Sequence, residues 1–165
     1  MAIKDKRILN SRYRLNHLYK IVTKAGKLET FKENGIQKQI NDCKKRWKTI
    51  LKYRQGGVTT NEVLKMLDFV CFNKNKNACI LAHEKKTLEK IFNIVRLAHE
   101  HMPKRLKPQV GKGGGSKYEL YFPKMNSRIF VALDLRGGTN HWLHISEAAF
   151  AEKRRIDATL ETVPI

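Results

Sequence analysis

A chain of 165 residues has the length of one domain with a real core, and 41% hydrophobic beside 30% charged residues exclude a disordered polymer. No apolar run reaches the length of a membrane span, and MAIKDKRILNSRYR lacks the apolar centre of a secretory signal. The formal charge is +19, from 34 Lys and Arg against 15 acids, and residues 1–56 hold 16 of those bases against 4 acids. Such a surplus points to a polyanionic partner, nucleic acid before membrane. The plainer reading is a basic surface kept for solubility. Cys43, Cys71 and Cys79 lack metal-ligand or redox spacing, and two of them fall in apolar periodic segments, as reduced core residues of a cytosolic protein do.

Taken in order, residues 1–17 are basic and weakly patterned, an arm or peripheral helix. YKIVTKAGKLETF alternates apolar and polar on both sides of Gly26, which predicts a β-hairpin. Asn34 is a candidate cap for a helix carrying Ile36, Ile40, Cys43 and Trp47 on one face. Thr49, Ile50, Leu51 and Tyr53 predict a buried strand, Arg54 to Thr60 a glycine-bearing turn, and Val63, Leu64, Met66, Leu67 and Val70 a helix. NACILAH (77–83) reads as a strand and 84–101 as an amphipathic helix ended by Pro103. A loop rich in Pro, Gly, Lys and Arg follows to Lys117. KYELYF (117–122), RIFVAL (128–133) and WLHI (142–145) then read as strands, and 149–160 as a helix. Strands alternating with helices predict an α/β domain with a mainly parallel sheet and some antiparallel additions.

Strand, glycine turn and helix in succession make the frame of a phosphate-binding loop, whose backbone N–H groups and helix N-terminus face an anion. Against G-x-x-x-x-G-K-[ST], Gly57 and Thr59 stand at the second Gly and the Ser/Thr, while Lys52 replaces the first Gly and Val58 the Lys. Another residue must therefore supply the positive charge. A phosphate loop also needs an acid at a neighbouring strand end, and Glu147 after WLHI-Ser146 is placed for that. Each piece has a plainer reading, a simple turn and a solvated glutamate.

Other features fall away. GKGGGSK (111–117) has phosphate-loop letters in the wrong order and follows no buried strand, so it reads as a connector. His141 and His144 face opposite sides of a strand, and His99 and His101 lack the i, i+4 spacing of a zinc helix. No metal is expected beyond nucleotide-bound Mg²⁺.

YKIVTKAGKLETF with Gln37, then ILKYRQGGVTT, LRGGTNHWLHISEAAF and ATLETVP together resemble the N-terminal ATPase part of the tailed-bacteriophage terminase large subunit, the motor that packages DNA. The resemblance spans residues 18–164. It implies a P-loop NTPase domain with an additional catalytic strand and an N-terminal β-hairpin, arranged as a basic arm (1–17), hairpin and adenine-motif helix (18–46) and P-loop core (47–165). The ATP-binding residues would be Gln37 at adenine and Arg54, Gln55, Gly56, Gly57, Val58, Thr59 and Thr60 at the phosphates, with Arg54 replacing the lysine charge. Thr59 and Ser146 would hold Mg²⁺, Ser146 standing where Asp is commoner and reaching the metal less strongly, through water. Glu147 would orient the attacking water, and Arg136 would be an arginine finger offered to a neighbour. Gln37 also reads as an exposed helix glutamine, and Arg136 as a loop-tightening residue.

The implied function is ATP hydrolysis coupled to moving double-stranded DNA. The implied partners are a portal and a small terminase subunit, in a pentameric ring in the host cytoplasm. In the family a strand with a coupling Ser/Thr and a nuclease domain follow the position of Ile165, so a C-terminally truncated motor without nuclease is expected. The alternative is a non-catalytic basic DNA-binding or interaction protein derived from a terminase fragment.

Overall fold

The computed structural model describes residues 5–52, 56–111, 117–135 and 137–164. Asn10 starts α1 (Ser11–His17), its side-chain oxygen accepting from the amides of Arg12 and Tyr13. The hairpin forms as the alternation predicts, β1 (Lys20–Val22) pairing antiparallel with β2 (Leu28–Thr30), and Gly26 takes φ +75° in the turn. Asn34 caps α2 (Gly35–Asp42) through a reciprocal box with Gln37.

Two expectations fail between α2 and the glycine turn. The helix stops at Asp42, so Cys43 and Trp47 leave its apolar face and are exposed. The run Lys44, Lys45, Arg46 and Lys48 explains the stop, because continuing the helix would stack like charges at one-turn spacing. The buried strand expected at 49–53 also does not form over 49–52, where the backbone is irregular and Leu51 is fully exposed; Tyr53 lies outside the described residues. A strand exists only when a neighbour takes its backbone hydrogen bonds. Both sides of the strand at Asn77–Leu81 are taken by those at Ser127–Ala132 and Trp142–Ile145, and no described strand pairs with 49–52; the Arg46 side chain nearby donates to the Pro164 carbonyl.

The remaining elements form a mixed α/β unit with a mostly parallel sheet. Its order is β4 (Glu119–Phe122), β5 (Ser127–Ala132), β3 (Asn77–Leu81), β6 (Trp142–Ile145). β3 runs parallel to both β5 and β6, and β4 is antiparallel to β5. The continuous apolar run of β3 is buried on both faces, as a central parallel strand requires, whereas β5 alternates. α3 (Val58–Phe72) is the central helix. Ten of its residues are buried around most of its circumference, and Val63, Leu64, Met66, Leu67 and Val70 join Ala78, Ile80, Ile129 and Val131 in one core. α4 (Lys85–Glu100) packs against α3 with Leu88, Ile91, Phe92 and Val95. The last helix begins later than its periodicity suggests: a 3₁₀ turn covers Ala148–Phe150, and α5 spans Lys153–Leu160. Beyond it, Thr162 bonds backbone and side chain of Asn140, fixing the entry to β6.

Cys71 and Cys79 are buried free thiols, as expected, and burial pushes Cys79 up to about 12. Among the described residues no helix is long and apolar enough to cross a membrane.

Candidate functional site

The glycine turn ends at Gly57, which adopts φ +71° immediately before α3. The residue at the cap position is this glycine, so no cap side chain bonds the first turn. The carbonyl of Gly57 starts α3 by accepting from the Asn61 amide at 3.0 Å. Among the described residues the first-turn N–H groups therefore have no side-chain acceptor, at the positive end of a 15-residue helix. An anion is the natural complement of that end.

Two side chains from the start of α2 hold the glycine turn. Gln37 Nε2 donates to the Gly57 carbonyl at 2.9 Å, and Asn34 Nδ2 to the Gly56 carbonyl at 3.3 Å. Gln37 is 4% exposed, so it is not the solvated helix glutamine that its sequence position also allowed. Its Oε1 accepts from the Asn34 amide at 2.9 Å, which leaves one N–H and one lone pair for another partner. The fit is close: a Cβ on Gly57 would stand 2.6 Å from Gln37 Nε2. Behind the turn, Asn41 and buried Asn61 exchange amide hydrogen bonds at 3.0 Å, locking α2 onto α3. Asn34 announced itself as a cap, whereas the Asn41–Asn61 pair carries no pattern that a sequence reading could use.

The second half of the site comes from the sheet. Parallel pairing brings Ser146 beside the end of β3, where its amide donates to the Leu81 carbonyl at 2.9 Å. The Ser146 hydroxyl then lies 3.5 Å from the Thr59 hydroxyl on the first turn of α3. Glu147 follows in the left-handed region at φ 58°, ψ 49°, which a non-glycine residue adopts at a cost of about 1–2 kcal/mol. Its Oε2 is 3.4 Å from His83 Nδ1. Ligands of parallel α/β sheets sit outside the carboxyl ends of the strands, and Ser146, Glu147 and His83 all lie there.

Sequence-selected residues at Gln37, Gly56, Gly57, Thr59, Ser146 and Glu147 therefore come together around one helix end. Val58 is buried at 2% exposure and contributes packing, while Thr60 stands on the same first turn. Arg54, Gln55 and Arg136 lie outside the described residues. Gly137 and Gly138 beyond Arg136 both take positive φ. His83 escaped the sequence reading as a site residue, although a histidine closing an apolar strand was visible.

On β6 opposite Ile80, His144 has its Nε2 buried and unpartnered among the described residues. Burial holds its imidazole below the usual histidine range; Glu62 opposes the effect, and Lys52 and Lys65 add to it. Among the described residues no three His, Cys, Asp or Glu cluster as metal ligands. The Thr59 and Ser146 hydroxyls are hard oxygen donors suited to magnesium, but neutral. They fit a Mg²⁺ that keeps several waters and takes its counter-charge from phosphates.

No protein-family model matches the chain, and no curated protein matches it.

Proposed function

We propose that the chain is a MgATP-binding and -hydrolysing unit of a DNA-packaging motor of the terminase type, built on a P-loop NTPase core. The carrying observation is the 3.5 Å approach of the Thr59 and Ser146 hydroxyls at the open N-terminus of α3, with Glu147 next in the chain. An uncapped helix end, two hard oxygens and one adjacent carboxylate are the parts needed to hold a triphosphate with its metal and to orient a water. On this reading the amides of Val58, Thr59 and Thr60 receive phosphate oxygens, and the Gly57 conformation lets them converge. Arg54 would supply the cation that Val58 does not, gripping phosphate oxygens as a planar fork. Thr59 and Ser146 would hold Mg²⁺, directly or through water. Glu147 would orient the water that attacks the terminal phosphorus, and Arg136 would act from a neighbour in a ring.

The charge of +19 extends the reading to double-stranded DNA as the moving partner. Portal and small-subunit contacts rest on the sequence resemblance. The second reading, a basic DNA-binding protein without turnover, draws on buried Val58 at the lysine position.

Calorimetric titration with MgATP separates the two. The parent chain is expected to bind, Arg54→Ala to bind about 10–100-fold more weakly, and Glu147→Gln to bind like the parent while releasing no phosphate above background. Turnover should rise with protein concentration if Arg136 acts between copies. Absence of binding at millimolar nucleotide would remove the site. Binding without turnover at any concentration would favour the second reading.

A further inference from the structure

The parallel register of β3 and β6 continues past both strands. Leu81 stands opposite Ile145, and two residues further on His83 stands beside Glu147. The His83 side chain is 17% exposed, and its Nδ1 is buried without an aligned hydrogen bond among the described residues. Glu147 Oε2 lies 3.4 Å from Nδ1; on the other side of the ring, Nε2 lies 3.9 Å from Glu84 Oε1. Phe150 packs on the imidazole with ring centroids 5.7 Å apart, which limits its rotation. The Glu147 side chain, at 42%, is the exposed partner. An enclosed, wedged donor thus sits next to a carboxylate that is free to turn on a backbone already held in an unusual conformation.

A buried ring nitrogen without a partner is costly, and a small rotation of the Glu147 carboxylate would complete a charge-assisted bond. We infer that His83 is a positioning residue for Glu147: its Nδ1–H holds one carboxylate oxygen, leaving the other to orient the attacking water. This inference rests on the hydrolytic reading of the same site. It assigns the imidazole no contact with nucleotide and no proton transfer. A group that orients a catalytic ligand without touching substrate typically contributes about 10–100-fold to rate.

Two measurements test it on the full chain. In steady-state hydrolysis, His83→Ala should lower kcat about 10–100-fold with KM for MgATP unchanged. His83→Asn should recover much of the loss, because its side-chain amide can donate from near the position of Nδ1. Equal or higher kcat in His83→Ala, or a loss confined to KM, overturns the assignment. The second measurement needs no turnover: the ¹⁵N resonances of the His83 ring, followed by NMR in nucleotide-free protein, should shift in Glu147→Gln. Unchanged ring resonances would show that the two groups do not bond. If the parent neither binds nor hydrolyses MgATP, the ATPase reading fails and takes this role with it. An active parent with an indifferent His83→Ala removes the positioning role alone.

Discussion

At the residue scale, two positive-φ glycines contrast, Gly57 in the candidate site and Gly138 ahead of β6. Gly57 needs its missing Cβ twice, once for φ +71° and once for the Gln37 amide, which a Cβ would approach to 2.6 Å. Gly138 has φ +80° but open space around it. Backbone strain alone should cost Gly138→Ala about 1 kcal/mol. Gly57→Ala should cost about 2–3 kcal/mol, since it also displaces the Gln37 amide and one hydrogen bond. Urea denaturation of the two variants measures the difference, and equal losses would mean that Gln37 yields without penalty. Glu147 is the converse case. It keeps a side chain where glycine would be easier, which suits a residue retained for its carboxylate rather than for the turn.

At the scale of elements, the N-terminal helix and hairpin are docked on α3 by one buried cluster. Arg14 grips Asp68 with two hydrogen bonds, at 2.8 and 2.7 Å, and Tyr19 donates to the same carboxylate at 2.8 Å. The Arg14 guanidinium also lies 4.1 Å from the centroid of Phe72. Burial drives the Tyr19 phenol well above its ordinary value, with the Asp68 charge adding to it, so the hydroxyl remains a donor throughout the physiological range. Removing one member leaves its partner charged and unpaired in the interior. Asp68→Ala should therefore cost about 3–5 kcal/mol, whereas Arg14→Leu combined with Asp68→Leu should recover part of that loss. Thermal or urea unfolding distinguishes the two outcomes, and a harmless single substitution would mean that water reaches the cluster. Because α2 follows the hairpin and holds the glycine turn through Asn34 and Gln37, this docking also bears on the site.

At the scale of the whole molecule, much of the basic excess among the described residues is exposed to water. Lys44, Lys45, Arg46 and Lys48 ahead of the turn are exposed, as are Lys85, Lys86 and Lys90 on α4. Exposed cations of this density release counterions from a DNA duplex. If about 6–10 phosphates are neutralised, affinity for double-stranded DNA should fall about 10³–10⁵-fold between roughly 50 and 200 mM salt, without sequence preference. Fluorescence anisotropy with duplexes of unrelated sequence measures both, and a flat salt response would assign the charge to another partner.

The sequence by itself determined the elements whose causes are local. Alternation around Gly26 sets the hairpin, the Asn34–Gln37 box starts α2, and apolar spacing sets α3 and α4. It also marked Gly57, Thr59 and Glu147, because a glycine turn before a helix and an acid after an apolar strand are visible in the chain. Tertiary structure decided what depends on a neighbour. Residues 49–52 carry strand-like residues but no strand, because a strand is completed by its partner's hydrogen bonds and, among the described residues, no strand pairs with them. Gln37 became a support of the turn only when α2 packed beside Gly57. The approach of His83 to Glu147 follows from the β3–β6 register, and that of Thr59 to Ser146 from the packing of α3 on the same sheet; both join residues more than sixty positions apart. Periodicity reports which face of an element is buried; it carries no information about which strand end will lie against that face.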